Sequence, residues 1–403
     1  MILNRKIIAA VEIGTTKVVA LVGEIRGKHC LNLIGYSRQP SQGVKKGEII
    51  DFRAASTAVH TALAEAEKQT KTTIEGVYLA QSGEHLRSFA TRGRATVRSP
   101  DGIVSRDDIQ HAIAEAKRKE LPTDRIYIQH CLSGFYLDGR KVKNPYAMHG
   151  EQLEAAYWHI HSQEGKMRDP LHVINGFNIK VEKVLVSSLA SASIIAREEE
   201  KKNGTLILDI GAGTTDYVVY HDHSIIDSGV IAVGGDHLTN DLSLGLRIST
   251  KQAERIKCDS GKAQIDPKDN KETLWLFGDQ SIGDRQIPCK AIYQILQIRL
   301  EELFTIIKKK ITTKVPNIAL AGGILLTGGT AHLPRIGHEA ARVFNTRARI
   351  AQADNALKKD LDQPEYTTAL GLLHYGMREQ KIKYATQNRS GLLSRITHAL
   401  SWK

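Results

Sequence analysis

The chain has 403 residues, 41% of them hydrophobic and 25% charged, the balance of an ordinary globular protein with room for about two to three domains. A formal charge of +12 favours an anionic partner, acidic lipid or nucleic acid, without choosing between them. Aromatic residues make up only 5% and none interleave with a basic stretch, so a base-stacking platform, and with it a nucleic-acid partner, is not expected.

No run approaches the roughly 18 apolar residues of a membrane span. The first apolar run is interrupted by Glu12, so no signal peptide is expected, and Cys30, Cys131, Cys258 and Cys289 are too widely separated for a metal or redox pair. A cytoplasmic protein with reduced thiols is the default expectation.

In chain order, apolar Lys6 to Val11 meets Glu12-Ile13-Gly14-Thr15-Thr16-Lys17 and returns as Val18 to Val22: strand, tight acidic turn, strand. Leu31 to Tyr36 reads as a further strand. Residues 54 to 69 read as a helix with Ala55, Val59, Leu63 and Ala66 on one side, and Val77 to Ala80 as a strand. This rhythm predicts an α/β lobe with a mixed sheet. From about Gly83 to Glu164 the chain is more polar and reads as a small inserted α/β subdomain. Within it, Ser105-Arg106-Asp107-Asp108 predicts a capping box and a helix to about Lys119. Arg125 to His130 and Phe135 to Leu137 predict two strands separated by Leu132-Ser133-Gly134. His149, His159, His161 and His172 match no metal-ligand spacing. Val184 to Val186 resumes the α/β rhythm, and one helix is expected from Ser187 to about Lys202, stopped by Asn203-Gly204.

Apolar Thr205 to Leu208 then leads into Asp209-Ile210-Gly211-Ala212-Gly213-Thr214-Thr215-Asp216 and a second β-rich run, Tyr217 to Tyr220. Glycines admit a bulky anion close to the backbone, the amides and threonine hydroxyls can donate to phosphate oxygens, and Asp209 can hold a hydrated Mg2+. Asp and Gly also make ordinary hairpin turns. The echo at Glu12 to Lys17 separates the two readings, because an internal repeat implies two similar lobes, each offering an acidic hairpin to a shared cleft.

Val230 to Val233 feeds Gly234-Gly235 and a helix start, a second place for phosphate amides. Residues 250 to 258 form a helix with Lys251, Glu254 and Lys257 on neighbouring turns, which spacing alone reads as a solvated salt-bridged face. Residues 259 to 288 are polar and turn-rich, and Ala291 to Thr312 is a long helix. Ala319 to Ala331 contains a buried strand ending in Gly328-Gly329 ahead of a helix carrying Pro334 and Ile336. That glycine pair suits either a nucleotide ring against backbone or close helix-to-strand packing. Gln380 to Ser390 is a polar linker. In residues 391 to 403, at about 100° per residue, Leu392, Leu393, Ile396, Ala399 and Leu400 share one arc with Trp402 at its flank. Such a helix suits the membrane interface, or docks back onto the body.

The three glycine motifs resemble the actin-like ATPase superfamily. Glu12 to Val18, Leu79 to Gly83, Lys143-Asn144-Pro145, Ser188 to Ser191, Asp209 to Asp216, Leu326 to Gly329 and Thr368 to Leu373 together resemble its FtsA family of bacterial cell-division proteins, over nearly the whole chain. The resemblance implies an actin-like two-lobed fold with duplicated mixed-sheet domains and an inserted small α/β subdomain. Its boundaries would be 1–82 and 166–203 for the first lobe, 83–165 for the insertion, and 204–245 for the phosphate hairpin of the second lobe. Residues 246–315 would be the adenine-side subdomain, 316–379 the rest of the second lobe with a closing helix, 380–390 the linker and 391–403 the membrane helix.

The resemblance also implies ATP with Mg2+ between the lobes, self-association into filaments, and tethering of FtsZ to anionic lipid of the inner membrane, on its cytoplasmic face at the division site, where other division proteins join. Gly14, Thr15, Thr16 and Lys17 would then face phosphate from one lobe, and Gly211, Gly213 and Thr214 from the other, with Gly234 and Gly235 as weaker candidates. Glu12 and Asp209 would act on metal through water. Gly328 and Gly329 would pack on the adenosine, and Lys251, Glu254 and Lys257 would reach its base or ribose. Leu392, Leu393, Ile396, Leu400 and Trp402 would enter the membrane. The segment joining the lobes departs from related ATPases: it reads Val186-Ser187-Ser188-Leu189 where several place Glu or Gln. Neither serine is a good base at neutral pH, so ATP binding with slow or absent hydrolysis is expected. A small-molecule kinase of the superfamily and an actin-like scaffold of a pilus or secretion machine are the alternatives.

Overall fold

The computed structural model describes residues 6–26, 30–266, 268, 272–276, 283–351, 353 and 361–387. The stretch 391–403, and with it every expected membrane-facing residue, lies outside them.

The first lobe opens with β1 (Lys6–Ile13), β2 (Lys17–Arg26) and β3 (Cys30–Pro40). A small hairpin follows, β4 (Val44–Lys45) and β5 (Glu48–Ile49), then helix Phe52–Thr70 and β6 (Gly76–Gln81). That helix starts where Asp51 accepts from the Ala54 amide and buries Ala55, Val59, Leu63 and Ala66, the face its spacing predicts.

The insertion contains β7 (Arg87–Thr96), β8 (Arg125–Leu137), β9 (Arg140–Val142) and β10 (Gln152–Gln163) in the order β7-β10-β8-β9, with helix Arg106–Lys117 against it. Ser105 and Asp108 form the expected capping box. The two strands expected between Arg125 and Leu137 are one, because the extra residue Ser133 is absorbed as a bulge opposite Ala156 and Tyr157, with Gly134 at φ +156°.

β11 (Lys180–Val186) completes the first sheet, β11-β6-β1-β2-β3. The helix expected over Ser187 to Lys202 is two, Ser187–Ile195 and Glu198–Asn203. Ala196 and Arg197 are extended, and three glutamates open the second helix, where its dipole favours negative charge.

The second lobe repeats the plan with β12 (Thr205–Ile210), β13 (Thr215–His221) and β14 (Ser224–Ile231). A hairpin that the polar sequence did not announce, β15 (Thr273–Leu276) with β16 (Arg285–Pro288), precedes helix Cys289–Lys314. β17 (Gly323–Thr327) and β18 (Ala348–Ile350) complete the sheet β14-β13-β12-β17-β18. Both sheets are an antiparallel three-strand meander extended by two parallel strands on the side of its first strand. The duplication inferred from the two hairpins therefore holds for the whole topology.

The closing helix, Thr367–Gln387, crosses back to the first lobe and continues into the stretch expected to be a linker. Leu370, Leu372 and Leu373 join Ile8, Val19, Leu21 and Tyr78 in one core. At Gly371 the helix lies so close to helix Ser187–Ile195 that a Cβ would stand 2.0 Å from the Ala190 carbonyl oxygen.

Candidate functional site

The β1–β2 turn and the β12–β13 turn face each other across one cavity of about 430 Å3. Each turn closes the same way. Gly14 N donates to Lys17 O and Gly211 N to Thr214 O, both at 2.9 Å. The turns approach so closely that a Cβ on Gly213 would lie 2.5 Å from Thr15 Oγ1 and 2.9 Å from the Lys46 backbone. Gly14, Thr15, Thr16, Lys17, Gly211, Gly213 and Thr214 all line the cavity, as do Glu12 and Asp209. Lys17 Nζ is held by the Glu365 carbonyl oxygen at 2.6 Å.

Other expected residues separate. Gly235 lines the cavity but Gly234 packs under the second hairpin, where a Cβ would meet Gly211 O at 2.6 Å. The amides of Gly235 and Asp236 are already given to Gly211 O and Ala212 O, both at 2.9 Å, so this helix start braces the hairpin. Glu254 and Lys257 line the cavity and pair at 2.7 Å, and Lys257 Nζ also donates to Gly235 O and Thr239 Oγ1. Lys251 is exposed and is not part of the lining. Gly329 lines the cavity beside open space. Gly328, at φ +86°, instead clears the backbone of Ile210 and the carboxylate of Asp209, each within 2.6 Å of where its Cβ would be.

Three buried or half-buried carboxylates, Glu12, Asp209 and Asp216, meet where the two turns converge. Glu12 Oε2 and Asp216 Oδ1 are buried with no hydrogen-bond partner. Burial pushes the Glu12 carboxyl up to about 7 despite the nearby Lys17, with Asp209 adding to the rise. Burial also pushes Asp216 up to about 8, against a donated hydrogen bond from Ser82 at 2.5 Å. Among the described residues, no group of three or more His, Cys, Asp or Glu side chains is arranged to hold a metal directly. Orphaned acidic oxygens facing a cavity suit a hydrated cation, whose waters can donate to them.

Ser82 and Asp216, which pair across the cleft, and Ser191 and Thr368, which both donate to Asp209, have no site role in the sequence pattern. All four sit inside the family-like motifs Leu79 to Gly83, Asp209 to Asp216, Ser188 to Ser191 and Thr368 to Leu373. Glu365, His332 and Arg38 also line the cavity, with His332 2.5 Å and Arg38 3.6 Å from the Glu365 carboxylate. No local pattern marks those three.

A family model for "Cell division protein FtsA" matches residues 206–371, and one for the "SHS2 domain inserted in FTSA" matches 83–161. The cell division protein FtsA of Neisseria meningitidis serogroup B is 30% identical over 405 aligned residues, covering 98% of this chain and 97% of that protein. The chain belongs to the FtsA family. It is accordingly an actin-like cell-division protein, and the kinase and pilus-scaffold alternatives are set aside. The FtsA of Escherichia coli K12 is 29% identical over 385 residues, covering 93% and 91% of the two chains. Among solved structures, the PilM–PilN type IV pilus biogenesis complex aligns with TM-score 0.65 at 16% identity, covering 92% of this chain and 98% of that one. MreB5 of Spiroplasma citri bound to ADP aligns with TM-score 0.57 at 18% identity, covering 95% and 99%. These two likenesses establish the fold as actin-like, and the region matched by the SHS2 model lies between β6 and β11.

Proposed function

We propose that this FtsA-family protein binds ATP with Mg2+ in the cavity between its lobes, assembles into filaments, and tethers FtsZ to anionic lipid on the cytoplasmic face of the inner membrane at the division site. The observation that carries the nucleotide reading is the convergence of two acidic glycine hairpins, from duplicated sheets, on one cavity. The likeness of the chain's fold to MreB5 of Spiroplasma citri bound to ADP supports that reading. The hydroxyls of Thr15, Thr16 and Thr214, with the turn amides other than those of Gly14 and Gly211, would donate to phosphate oxygens. Glu254 and Lys257 line the same cavity and would reach the nucleoside.

Bound Mg2+ would supply positive charge that offsets the phosphates. Glu12 and Asp209 would hold its waters, which matches the unpartnered oxygen of Glu12. Nothing on the connecting segment takes a proton well. Ser187 Oγ donates to Gln81 O at 3.3 Å, and Ser188 Oγ is buried without a partner. One missing base costs typically about 10^2- to 10^4-fold in rate, so nucleotide serves here as a ligand that sets the lobe angle and readiness to assemble.

The test is equilibrium binding of a fluorescent ATP analogue with Mg2+ to the full chain and to Gly213→Val. The clash of the new side chain with Thr15 and the Lys46 backbone should weaken binding by at least about tenfold. Equal affinity in the variant, or no binding by the unaltered chain, would contradict the assignment of the cavity.

A further inference from the structure

Asp209 treats its two oxygens differently. Oδ2 accepts from Ser191 Oγ at 2.8 Å and from Thr368 Oγ1 at 2.7 Å, and these hydroxyls are themselves 2.8 Å apart. Among the described residues, Oδ1 takes no hydrogen bond, and it lies against Gly328, whose missing side chain leaves it room. Both donors are buried, Ser191 on helix Ser187–Ile195 and Thr368 at the start of the closing helix. An Asp carboxylate turns readily about its last torsion. Two hydroxyls on one oxygen remove that freedom and decide which oxygen is left over.

We propose that Ser191 and Thr368 are positioning residues: by holding Oδ2 they present Oδ1 of Asp209 to a hydrated divalent cation at the phosphate end of the cavity. Cation dependence of nucleotide binding is then set by two helices outside the hairpins. The inference rests on the nucleotide reading above. The two helices are the pair that touch at Ala190 and Gly371, one residue from Ser191 and three from Thr368. Each hydroxyl carries one proton. When both protons point at Oδ2, the contact between the hydroxyls carries none, so losing one donor leaves the other in place. Single substitutions should therefore have partial effects and the double substitution a larger one.

The experiment measures affinity of the full chain for a fluorescent ATP analogue while Mg2+ is titrated, and again in EDTA. Loss of a group that orients a metal-binding carboxylate typically lowers metal affinity by about 10- to 100-fold. Ser191→Ala and Thr368→Val should raise the Mg2+ concentration for half effect by about tenfold each, and more in combination. Affinity in EDTA should stay unchanged, and Thr368→Ser should restore the Mg2+ response. Thermal melts verify folding, and if Ser191→Ala does not fold, the Thr368 pair carries the test alone.

An unchanged Mg2+ response in the variants, or an equal loss of affinity with and without Mg2+, would overturn the proposal. So would nucleotide binding by the unaltered chain that ignores Mg2+, which would leave the nucleotide reading standing. No nucleotide binding by the unaltered chain would overturn both.

Discussion

Replacing Gly371 by Ala sets two known effects against each other. Within a helix, alanine ordinarily stabilises relative to glycine by roughly 0.5–1 kcal/mol. Here the added Cβ would stand 2.0 Å from Ala190 O and 2.4 Å from Ala190 C, backbone atoms of a helix that cannot turn aside. Ordinary contact begins at 3.4 Å, so the helices must part by about 1.4 Å. Overpacking of this kind costs typically about 1–3 kcal/mol, and the contact is backbone, which places it at the upper end. The net expectation is a loss of about 2 kcal/mol. Urea unfolding of the full chain followed by circular dichroism should show a lower midpoint. Gly165→Ala, also in a helix but with nothing within 4 Å of the new Cβ, should match or exceed the unaltered chain. A Gly371→Ala protein as stable as the Gly165→Ala control would refute the close crossing. The same parting would pull Ser191 from Thr368, so the variant should also lose Mg2+ response.

The buried acids predict a pH dependence. Burial raises Glu12 to about 7 and Asp216 to about 8, so the folded state binds these protons more tightly than the unfolded chain. Their stabilising contribution is complete below the ordinary carboxylate range and is lost as pH rises through about 7 to 8. Between about pH 5 and pH 9, the unfolding midpoint of ligand-free Asp216→Asn should fall less steeply than that of the unaltered chain; parallel profiles would refute the burial. Turnover of ATP by purified protein should stay at or below about 1 per second, and a clearly faster rate would show a base that the connecting serines do not provide. Deleting residues 391–403, or combining Leu393→Glu with Ile396→Glu, should abolish co-sedimentation with anionic vesicles. Five apolar side chains yield only about several kcal/mol, which one copy spends on reversible binding and a filament multiplies; undiminished sedimentation would return this segment to the body of the protein.

The hairpins were legible because their chemistry is local: an acid, a glycine that permits a tight turn and hydroxyls within a few residues. Their repetition revealed the duplicated sheets for the same reason. The helix over Phe52–Thr70 and the Ser105 cap were legible from periodicity and a capping pattern. Features set by tertiary contact were not. Nothing local announces that Ala196 and Arg197 break a helical run, or that Ser133 bulges without ending its strand. Gly234 and Gly328 look like ligand-facing glycines, yet each clears a neighbouring backbone. Lys251 shares a helix with Glu254 and Lys257 but is exposed and does not line the cavity. Ser191 and Thr368 come from helices far apart in sequence, so their common partner is visible only in three dimensions.

The most direct test of the central claim is electron microscopy of the full chain with ATP and Mg2+ on anionic vesicles, with and without FtsZ. Membrane-bound filaments that recruit FtsZ, and that are lost both with Gly213→Val and with removal of residues 391–403, are the predicted result. FtsZ recruited equally by the Gly213→Val protein would contradict the claim that the two-hairpin cavity governs assembly.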